Sequence, residues 1–281
     1  MDNNILVIGS TGMLGQELCD VLDEKNIDYV GVGSKNLDIT DKDLVDNFFA
    51  KHKPTIVFDC AAYTNVDGAE EEPGKTTNEL VNHLGTKNIA EATEMVNGTI
   101  VYVSTDYVFD GTNDCEYQEN AETNPKNEYG RAKLAGESEI RKTCSKYYII
   151  RTSWLYGKHG NNFVFTMLNL AKSHDELSVV NDQVGRPTWT KTLADFMLYA
   201  VENKIPFGTY QLSNEGTATW YEFASYILKK QDVKVNPVNS DAFPQKAYRP
   251  RHSIMSLDEV NKSGFKNHSW QDALDEFKLN L

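Results

Sequence analysis

Cysteine is scarce in this sequence, which has four in 281 residues. They lie far apart, at Cys19, Cys60, Cys115 and Cys144. No two of them form a CxxC pair, so their spacing favours neither a zinc site nor a framework of disulfides. Scattered free cysteines are typical of proteins kept in a reducing compartment, and we expect the cytoplasm.

Basic residues are outnumbered. The chain has 28 Lys and Arg against 41 Asp and Glu, which gives a formal net charge of −13. Proteins that bind nucleic acids neutralise phosphates with clustered Lys and Arg, so this balance argues against a nucleic-acid partner. A small anionic ligand is still compatible with the composition, provided that a few basic residues are concentrated around it.

Long apolar runs are missing as well. No stretch approaches the roughly 18 consecutive apolar residues that a transmembrane helix needs. Residues 1–8 contain neither a basic segment nor a cleavable apolar core, so we expect no signal peptide and no membrane partner. The chain also lacks internal repeats and Pro/Gly-rich linkers, which argues against a freely swinging domain.

What the chain does contain is a regular alternation of short Val/Ile-rich runs with helix-like segments. Six runs are predicted as strands, over residues 3–9, 29–34, 55–63, 98–108, 147–154 and 176–182. Strands that are apolar throughout and separated by helices are typical of a parallel sheet covered on both faces. The pattern therefore predicts an α/β fold with a Rossmann-type doubly wound parallel sheet.

The alternation of apolar runs and helix-like segments becomes less regular after Trp154. Helices are predicted near residues 162–173, 190–203, 219–230 and 269–279, with a strand-like piece at 208–214 between them. We predict a dinucleotide-binding domain over residues 1–153 and a smaller α/β substrate-binding region over 154–281. Some segments of the second region are expected to return to the first domain.

A glycine-rich turn, GSTGMLG, follows the first predicted strand and opens an amphipathic helix. Gly9, Gly12 and Gly15 permit a tight turn, close approach of the backbone to a pyrophosphate, and close helix–strand packing. The helix N-terminus attracts the negative charge. The position favours a dinucleotide site that includes Thr11 over a glycine-rich turn without a ligand.

The second predicted strand ends without a carboxylate, in the sequence Val-Gly-Ser-Lys at positions 32–35. An Asp or Glu there would hold the ribose 2′-hydroxyl of NADH. Ser34 and Lys35 would instead tolerate a 2′-phosphate, which favours NADPH with NADH as the alternative, although Lys35 fits a solvated loop equally well. A third strand is expected near residues 36–40, and Asp38 follows the place where its adenine-facing end should fall.

A tyrosine and a lysine lie four residues apart in the sequence NEYGRAK. On a helix, Tyr129 and Lys133 share one face, and the ammonium would lower the pKa of the phenol. The pair alone is weak evidence for catalysis. The fifth expected strand, however, ends at Ser104 and Thr105, at the sheet edge where ligands of open α/β folds bind. Together with the glycine turn, these residues favour a catalytic site.

The sequence resembles the extended short-chain dehydrogenase/reductase superfamily and, within it, the dTDP-4-dehydrorhamnose reductases. The segments that carry the resemblance, in the same order, are GSTGMLGQEL, CAAYTNVDGAEEEP, VSTDYVFDG, YGRAKLAGE, RTSWLYGKHGNNFVFTML, NDQVGRPTW, TWYEFA and RPRHSIM. The resemblance implies reduction of the C4 ketone of dTDP-4-dehydro-6-deoxy-L-mannose to dTDP-L-rhamnose by NAD(P)H. It implies that Tyr129 donates the proton, Lys133 orients the nicotinamide ribose, and Thr105 contacts the carbonyl.

Further residues match cofactor and substrate positions of those reductases. The implied cofactor contacts are Gly12, Met13, Leu14, Asp38, Ile39, Ala61, Ala62 and Tyr63. The predicted substrate contacts are Ser104, Thr105, Tyr107, Phe109, Trp154, Asn162 and Arg186. Arg186 enters this set because a guanidinium suits bidentate phosphate recognition.

Some members of the family dimerise around a magnesium ion held by glutamates. Glu17 matches one of those positions, but the segment GRPTWTK offers no second Glu, so we predict no bound metal and a monomer or homodimer. Two alternative functions stay open. One is a non-catalytic, NADP-binding regulatory subunit of a methionine adenosyltransferase, and the other is an NDP-sugar epimerase or dehydratase. The intact Thr, Tyr and Lys favour an enzyme.

Overall fold

The computed structural model describes residues 4–279. The first residue of the strand predicted at 3–9 and the outer ends of both predicted domains lie outside this range. The strands are β1 (Ile5–Ile8), β2 (Tyr29–Val32), β3 (Ile56–Asp59), β4 (Thr99–Thr105), β5 (Tyr147–Thr152), β6 (Leu155–Tyr156), β7 (Glu176–Val180), β8 (Val184–Gly185), β9 (Thr188–Trp189), β10 (Gly208–Gln211), β11 (Ala218–Thr219) and β12 (Lys234–Val238).

The α-helices alternate with these strands. They are α1 (Met13–Glu24), α2 (Lys42–His52), α3 (Gly74–Glu79), α4 (Thr86–Met95), α5 (Glu128–Thr143), α6 (Phe163–Leu170), α7 (Thr190–Glu202), α8 (Trp220–Ile227), α9 (Asp258–Ser263) and α10 (Trp270–Leu279). A π-helical turn, Leu80–Gly85, joins α3 to α4. Among residues 4–279, no helix combines the length and the apolar composition needed to cross a bilayer.

The main sheet has six parallel strands in the order β10-β5-β4-β3-β1-β2. One apolar cluster joins the sheet to α1 and α7, and a second joins its other face to α2, α4 and α5. The strand order reverses between β1 and β3, and ligands of open α/β sheets bind at that switch point. The predicted α/β fold with a doubly wound parallel sheet is confirmed.

The expectation of a strand near residues 36–40 is wrong. This segment forms turns instead, because the Asn36 N–H donates to the Gly33 carbonyl at 2.9 Å and the Thr40 N–H donates to the Asp38 carboxylate at 2.9 Å. The strand that ends at Asp59 is therefore the third, and the strand that ends at Thr105 is the fourth.

The carboxyl-terminal half contributes to both parts of the molecule. Strand β10 pairs with β5 at the edge of the main sheet, and α7 packs in the same apolar cluster as α1. The other elements build a smaller unit from three two-stranded sheets and from α6, α8 and α10. Its core is rich in aromatic side chains, among them Tyr156, Trp189, Phe223 and Phe277. The division at residues 153 and 154 stays a prediction.

Candidate active site

Two adjoining cavities form a groove along the carboxyl ends of the main strands. The smaller has a volume of about 280 Å³ and lies between the ends of β1, β2 and β3. The larger, of about 410 Å³, extends past β4 and α5 toward the aromatic smaller unit. Gly12, Cys60, Ala61 and Ala62 line both cavities. A long ligand could therefore occupy both spaces at once.

The glycine turn has the shape of a backbone cradle. Gly9 has φ +77°, and a Cβ there would lie 2.6 Å from the Ala61 nitrogen. A Cβ on Gly15 would lie 2.1 Å from the Gly9 carbonyl oxygen, so α1 approaches the turn too closely for any side chain. Gly12 begins the helix without a side-chain cap. The first backbone N–H groups of α1 therefore fit a pyrophosphate, as NAD(P)H would require.

Most predicted cofactor residues line this groove. In the smaller cavity they are Gly9, Thr11, Gly12, Ser34, Asp38, Ile39, Ala61, Ala62 and Tyr63. Met13 and Leu14 line the larger cavity. Gly15 lies behind the turn and acts through packing. Lys35 is exposed next to Ser34 but is not part of the cavity wall.

The three predicted catalytic residues line the larger cavity together. Helix α5 is capped by Asn127, whose side chain accepts the Gly130 N–H at 2.7 Å, and this cap fixes the first turn that carries Tyr129. Lys133 follows one turn later on the same face. Thr105, the last residue of strand β4, lines the same cavity. The structure thus brings together residues that are about 25 positions apart in the sequence.

The phenol of Tyr129 stays protonated at neutral pH. Desolvation raises its pKa well above the ordinary tyrosine value, and the nearby charge of Asp106 acts in the same direction. The hydrogen bond with Thr105 opposes this rise because it favours the phenolate. Desolvation thus outweighs every group that favours the phenolate, and the expected lowering of this pKa by Lys133 stays a prediction. The phenol therefore carries its proton at neutral pH and can release it only to a strongly basic oxygen.

Lys133 is almost completely buried, with 2 % of its surface exposed. Burial lowers the pKa of its ammonium to about 8, while the carboxylates of Asp59 and Glu137 oppose this decrease. Its Nζ lies 4.0 Å from the centroid of the Tyr102 ring, in a cation–π contact. The side chain is therefore held in one place beneath the cavity.

Asp106 is a site residue that no sequence motif singled out. It is buried, lines the larger cavity, and accepts a hydrogen bond from the Thr105 hydroxyl at 3.2 Å. Burial raises its pKa to about 6. Its position directly after Thr105, at the end of a strand, is a signal that could have identified it.

Aromatic rings form the outer wall of the larger cavity. Trp154 stacks on Trp220 with ring centroids 3.6 Å apart, and Tyr107 meets Tyr129 edge to face at 5.9 Å. Trp154 has φ 47°, a left-handed conformation that is uncommon for a bulky residue and is often found at functional sites. Trp220 is a further site residue that was not predicted individually, and its segment TWYEFA, which carries part of the resemblance, is the signal that could have identified it.

Three predicted substrate residues lie away from the cavity walls. The ring of Phe109 is fully buried and stacks on Tyr117 at 4.3 Å. Asn162 caps α6, and its neighbour Asn161 lines the cavity instead. The guanidinium of Arg186 donates to Glu116 and to the Met255 carbonyl, each at 2.6 Å. Their positions give these three side chains structural roles, whereas Ser104, Tyr107 and Trp154 do line the cavity.

The carboxylate of Glu17 is occupied by protein groups. It accepts the Thr190 hydroxyl at 3.0 Å and lies 3.8 Å from the Lys158 ammonium. Over the part of the chain that the structure describes, no group of three or more His, Cys, Asp or Glu side chains could hold a metal ion. Thr190 belongs to the segment in which a second glutamate was expected.

The parallel sheet, the glycine cradle and the Thr, Tyr and Lys at its carboxyl edge define an NAD(P)H-dependent oxidoreductase of the short-chain dehydrogenase/reductase type. Residues 3–280 match the family described as RmlD substrate binding domain, and the chain belongs to that family.

Known proteins of this kind match over nearly their whole length. The chain is 38% identical to the spore coat polysaccharide biosynthesis protein SpsK of Bacillus subtilis, covering 97% of this chain and 96% of that protein. It is 38% identical to a dTDP-4-dehydrorhamnose reductase of Streptomyces griseus, with 96% and 91% covered. A crystal structure of the Bacillus anthracis dTDP-4-dehydrorhamnose reductase in complex with NADP superposes with a TM-score of 0.96, at 38% identity and with both chains fully covered.

Proposed function

We propose that this protein uses NADPH to reduce the C4 ketone of dTDP-4-dehydro-6-deoxy-L-mannose to dTDP-L-rhamnose, with the cytoplasm as its expected compartment. The observation that carries the proposal is that Thr105, Tyr129 and Lys133 line the larger cavity together, next to the cavity of the glycine turn. The names of the Streptomyces griseus relative and of the Bacillus anthracis structure, with its NADP, support the substrate and the cofactor.

The residues that line the groove have different roles in the proposed reaction. When bound, NADPH supplies a hydride from its nicotinamide C4. The glycine turn and the first turn of α1 hold the pyrophosphate, and Lys133 holds the nicotinamide ribose. Tyr129 donates its phenolic proton to the carbonyl oxygen at C4, and the Thr105 hydroxyl turns from Asp106 to donate its hydrogen bond to that oxygen. The burial of Tyr129 keeps the proton in place until the oxygen becomes basic.

A third cavity, of about 320 Å³, continues from the aromatic wall and suits the nucleotide part of the substrate. Arg249 and Arg251 line it together with Gln183. The guanidinium of Arg249 lies 5.6 Å from the Tyr107 ring, and Gln183 accepts the Trp220 indole N–H at 3.2 Å, so this cavity adjoins the larger one. Two guanidinium groups fit a diphosphate in an otherwise acidic protein.

The proposed function is tested by following NADPH oxidation with dTDP-4-dehydro-6-deoxyglucose and a known 3,5-epimerase, with the epimerase omitted as a control. We expect oxidation that depends on the epimerase and yields dTDP-rhamnose. Absence of oxidation with both NADPH and NADH, in protein that binds the cofactor, would contradict the proposal and favour a different sugar or a regulatory subunit. Cofactor retained through purification and reduced transiently would favour an epimerase or dehydratase.

The Lys35→Asp variant tests the assignment of NADPH. We expect it to shift the preference ratio of kcat/KM toward NADH by about tenfold, because an exposed ion pair contributes up to ~1 kcal/mol and the new carboxylate repels a 2′-phosphate. Steady-state kinetics with both cofactors measure the ratio. Lys230→Asp, a charge reversal in an exposed turn of the smaller unit, is the matched control and should leave the ratio unchanged. An unchanged ratio in Lys35→Asp would remove Lys35 from the 2′-phosphate site.

A further inference from the structure

A buried carboxylate at the end of β3 has no part in the proposed reaction. Asp59 is 1 % exposed. Its Oδ1 accepts the Ala61 N–H at 3.1 Å, which shapes the turn into the groove. Within residues 4–279, its Oδ2 has no hydrogen-bond partner. A buried carboxylate without a partner for one oxygen is strongly destabilising unless it takes up a proton or a positive charge lies nearby.

The geometry of the sheet places Lys133 on the same side as Asp59. Asp59 of β3 is in register with Tyr102 of β4, and such register partners point to the same face of a sheet. On that face, the Lys133 Nζ lies over the Tyr102 ring, and the Tyr102 hydroxyl donates to the Lys133 carbonyl oxygen at 3.3 Å. The Asp59 carboxylate and the Lys133 ammonium are therefore both neighbours of Tyr102 on one face of the sheet.

The other carboxylate that faces Lys133 is already neutralised. Glu137 lies one turn further along α5, and its two oxygens accept hydrogen bonds from Arg151 at 2.9 and 2.8 Å and from Arg141 at 2.7 Å. One carboxylate between two guanidinium groups leaves that cluster with a net positive charge. Glu137 is therefore shared with two guanidinium groups, and Asp59 opposes the lowering of the Lys133 pKa more strongly than Glu137 does.

The remaining titratable groups around Lys133 are neutral at physiological pH. Burial raises the pKa of the Cys60 thiol and of the Tyr102 phenol well above their ordinary values, and the pKa of Tyr129 is raised as well. Of the two carboxylates that act on Lys133, Glu137 is paired with arginines. Asp59 has Lys133 as the cation that acts on it. Burial raises its own pKa to about 6, and the charge of Lys133 opposes that rise.

We propose that Asp59 is the counter-ion that keeps Lys133 protonated, and that it is a positioning residue that acts on the reaction through Lys133. The inference rests on the proposed role of Lys133 in holding the nicotinamide ribose. A neutral lysine would lose its charge–dipole contact with the ribose hydroxyls and with a developing phenolate. Activity should therefore fall as the pH rises through the point at which Lys133 loses its proton.

The Asp59→Asn variant separates the two roles of this side chain, which are the hydrogen bond to Ala61 and the negative charge near Lys133. Its amide oxygen can still accept the Ala61 N–H, but the charge is gone. We expect the pH midpoint of Lys133 to fall by at least about one unit, because a nearby opposite charge shifts a pKa by roughly one to three units. NMR of the ¹³Cε signal of Lys133 in cofactor-free protein, assigned with Lys133→Met, measures the midpoint. The alkaline limb of kcat should move to lower pH by the same amount.

Asp41→Asn is the matched control. Asp41 caps α2 at an exposed position, where Asn caps equally well, so this variant should leave the Lys133 midpoint unchanged. The same midpoint in Asp59→Asn and in the unmodified protein would overturn the proposal. A lower midpoint with unchanged turnover would support Asp59 as the counter-ion and would contradict only the role of Lys133 in the proposed reaction.

The unmodified protein provides a second test that does not depend on folding of the variant. If Asp59 faces Lys133, the ¹³Cε signal of Lys133 should show a smaller inflection near pH 6, where Asp59 takes up a proton. A single inflection, at the midpoint of Lys133 itself, would also overturn the proposal.

Discussion

Replacing Tyr129 by phenylalanine should lower kcat for ketone reduction by about 10²- to 10⁴-fold, the range that a positioned general acid contributes. The Tyr129 side chain lines the larger cavity, and the raised pKa of its phenol keeps it protonated at neutral pH. Removal of one oxygen leaves the aromatic ring, so its edge-to-face contact with Tyr107 should persist. Stopped-flow measurement of NADPH oxidation at saturating substrate separates the chemical step from binding.

The affinity for NADPH should remain within about twofold of the unmodified protein, because Tyr129 contributes to the chemistry and the glycine turn to binding. Tyr147→Phe is the matched control, since Tyr147 begins β5 at the opposite, amino-terminal edge of the sheet. The Tyr147→Phe variant should have the same kcat as the unmodified protein. Near-normal turnover in Tyr129→Phe would remove Tyr129 as the proton donor, and a parallel loss in Tyr147→Phe would indicate a general effect on folding.

The Arg151→Met variant should lower the free energy of unfolding by about 3–5 kcal/mol, which is typical when one partner of a buried ion pair is removed. Arg151 and Glu137 are 2 % and 0 % exposed, and two hydrogen bonds of 2.9 and 2.8 Å join them. Arg151 also donates to the Glu119 carbonyl at 3.1 Å, which holds the loop that follows Phe109. Urea unfolding followed by tryptophan fluorescence measures the loss.

The pH dependence of that loss has a definite sign. In the unmodified protein, Arg151 holds the pKa of Glu137 below its ordinary value, so this pair stabilises the fold above the pKa of the unfolded chain and the gain is lost on acidification. Without Arg151, burial dominates and raises the pKa of Glu137. The variant should therefore regain part of its stability as the pH falls, because a neutral carboxyl is tolerated in the core.

Two further variants complete this test. Arg141→Met should lower the free energy of unfolding by no more than about 1 kcal/mol, since its side chain is partly exposed and makes one bond to Glu137. The double variant Arg151→Met/Glu137→Met should recover most of the stability, because two apolar side chains leave no unpaired charge. If Arg151→Met were as stable as Arg141→Met, the buried pair would not hold the sheet to α5.

Short motifs in the sequence predict much of the groove. The glycine turn is recognisable because its function depends on local backbone shape. All three glycines that this shape requires lie within seven residues of the sequence. Tyr129 and Lys133 are recognisable because i and i+4 on a helix always share a face. The parallel sheet follows from apolar runs separated by helices, since both faces of such a sheet are buried.

Residues that depend on the path of a loop are not predictable in the same way. In the pair Asn161 and Asn162, one side chain lines the cavity and the other caps α6, and the sequence offers no reason to choose between them. Phe109 and Arg186 are each compatible with a substrate contact by residue type. Phe109 stacks on Tyr117, eight residues further along the same loop, and Arg186 donates to Glu116 of that loop.

The fold class, the cofactor cradle and the Tyr/Lys pair follow from the amino-acid sequence alone, because each depends on residues that are neighbours along the chain. The side chains that complete the site are set by tertiary contacts. Asp106 faces the cavity, Trp154 stacks on Trp220, and Asp59 lies on the face of the sheet that carries Lys133. These contacts depend on strand register and on the close approach of segments that are distant in sequence. Burial and neighbouring charges at those contacts then shift the pKa values of the site residues.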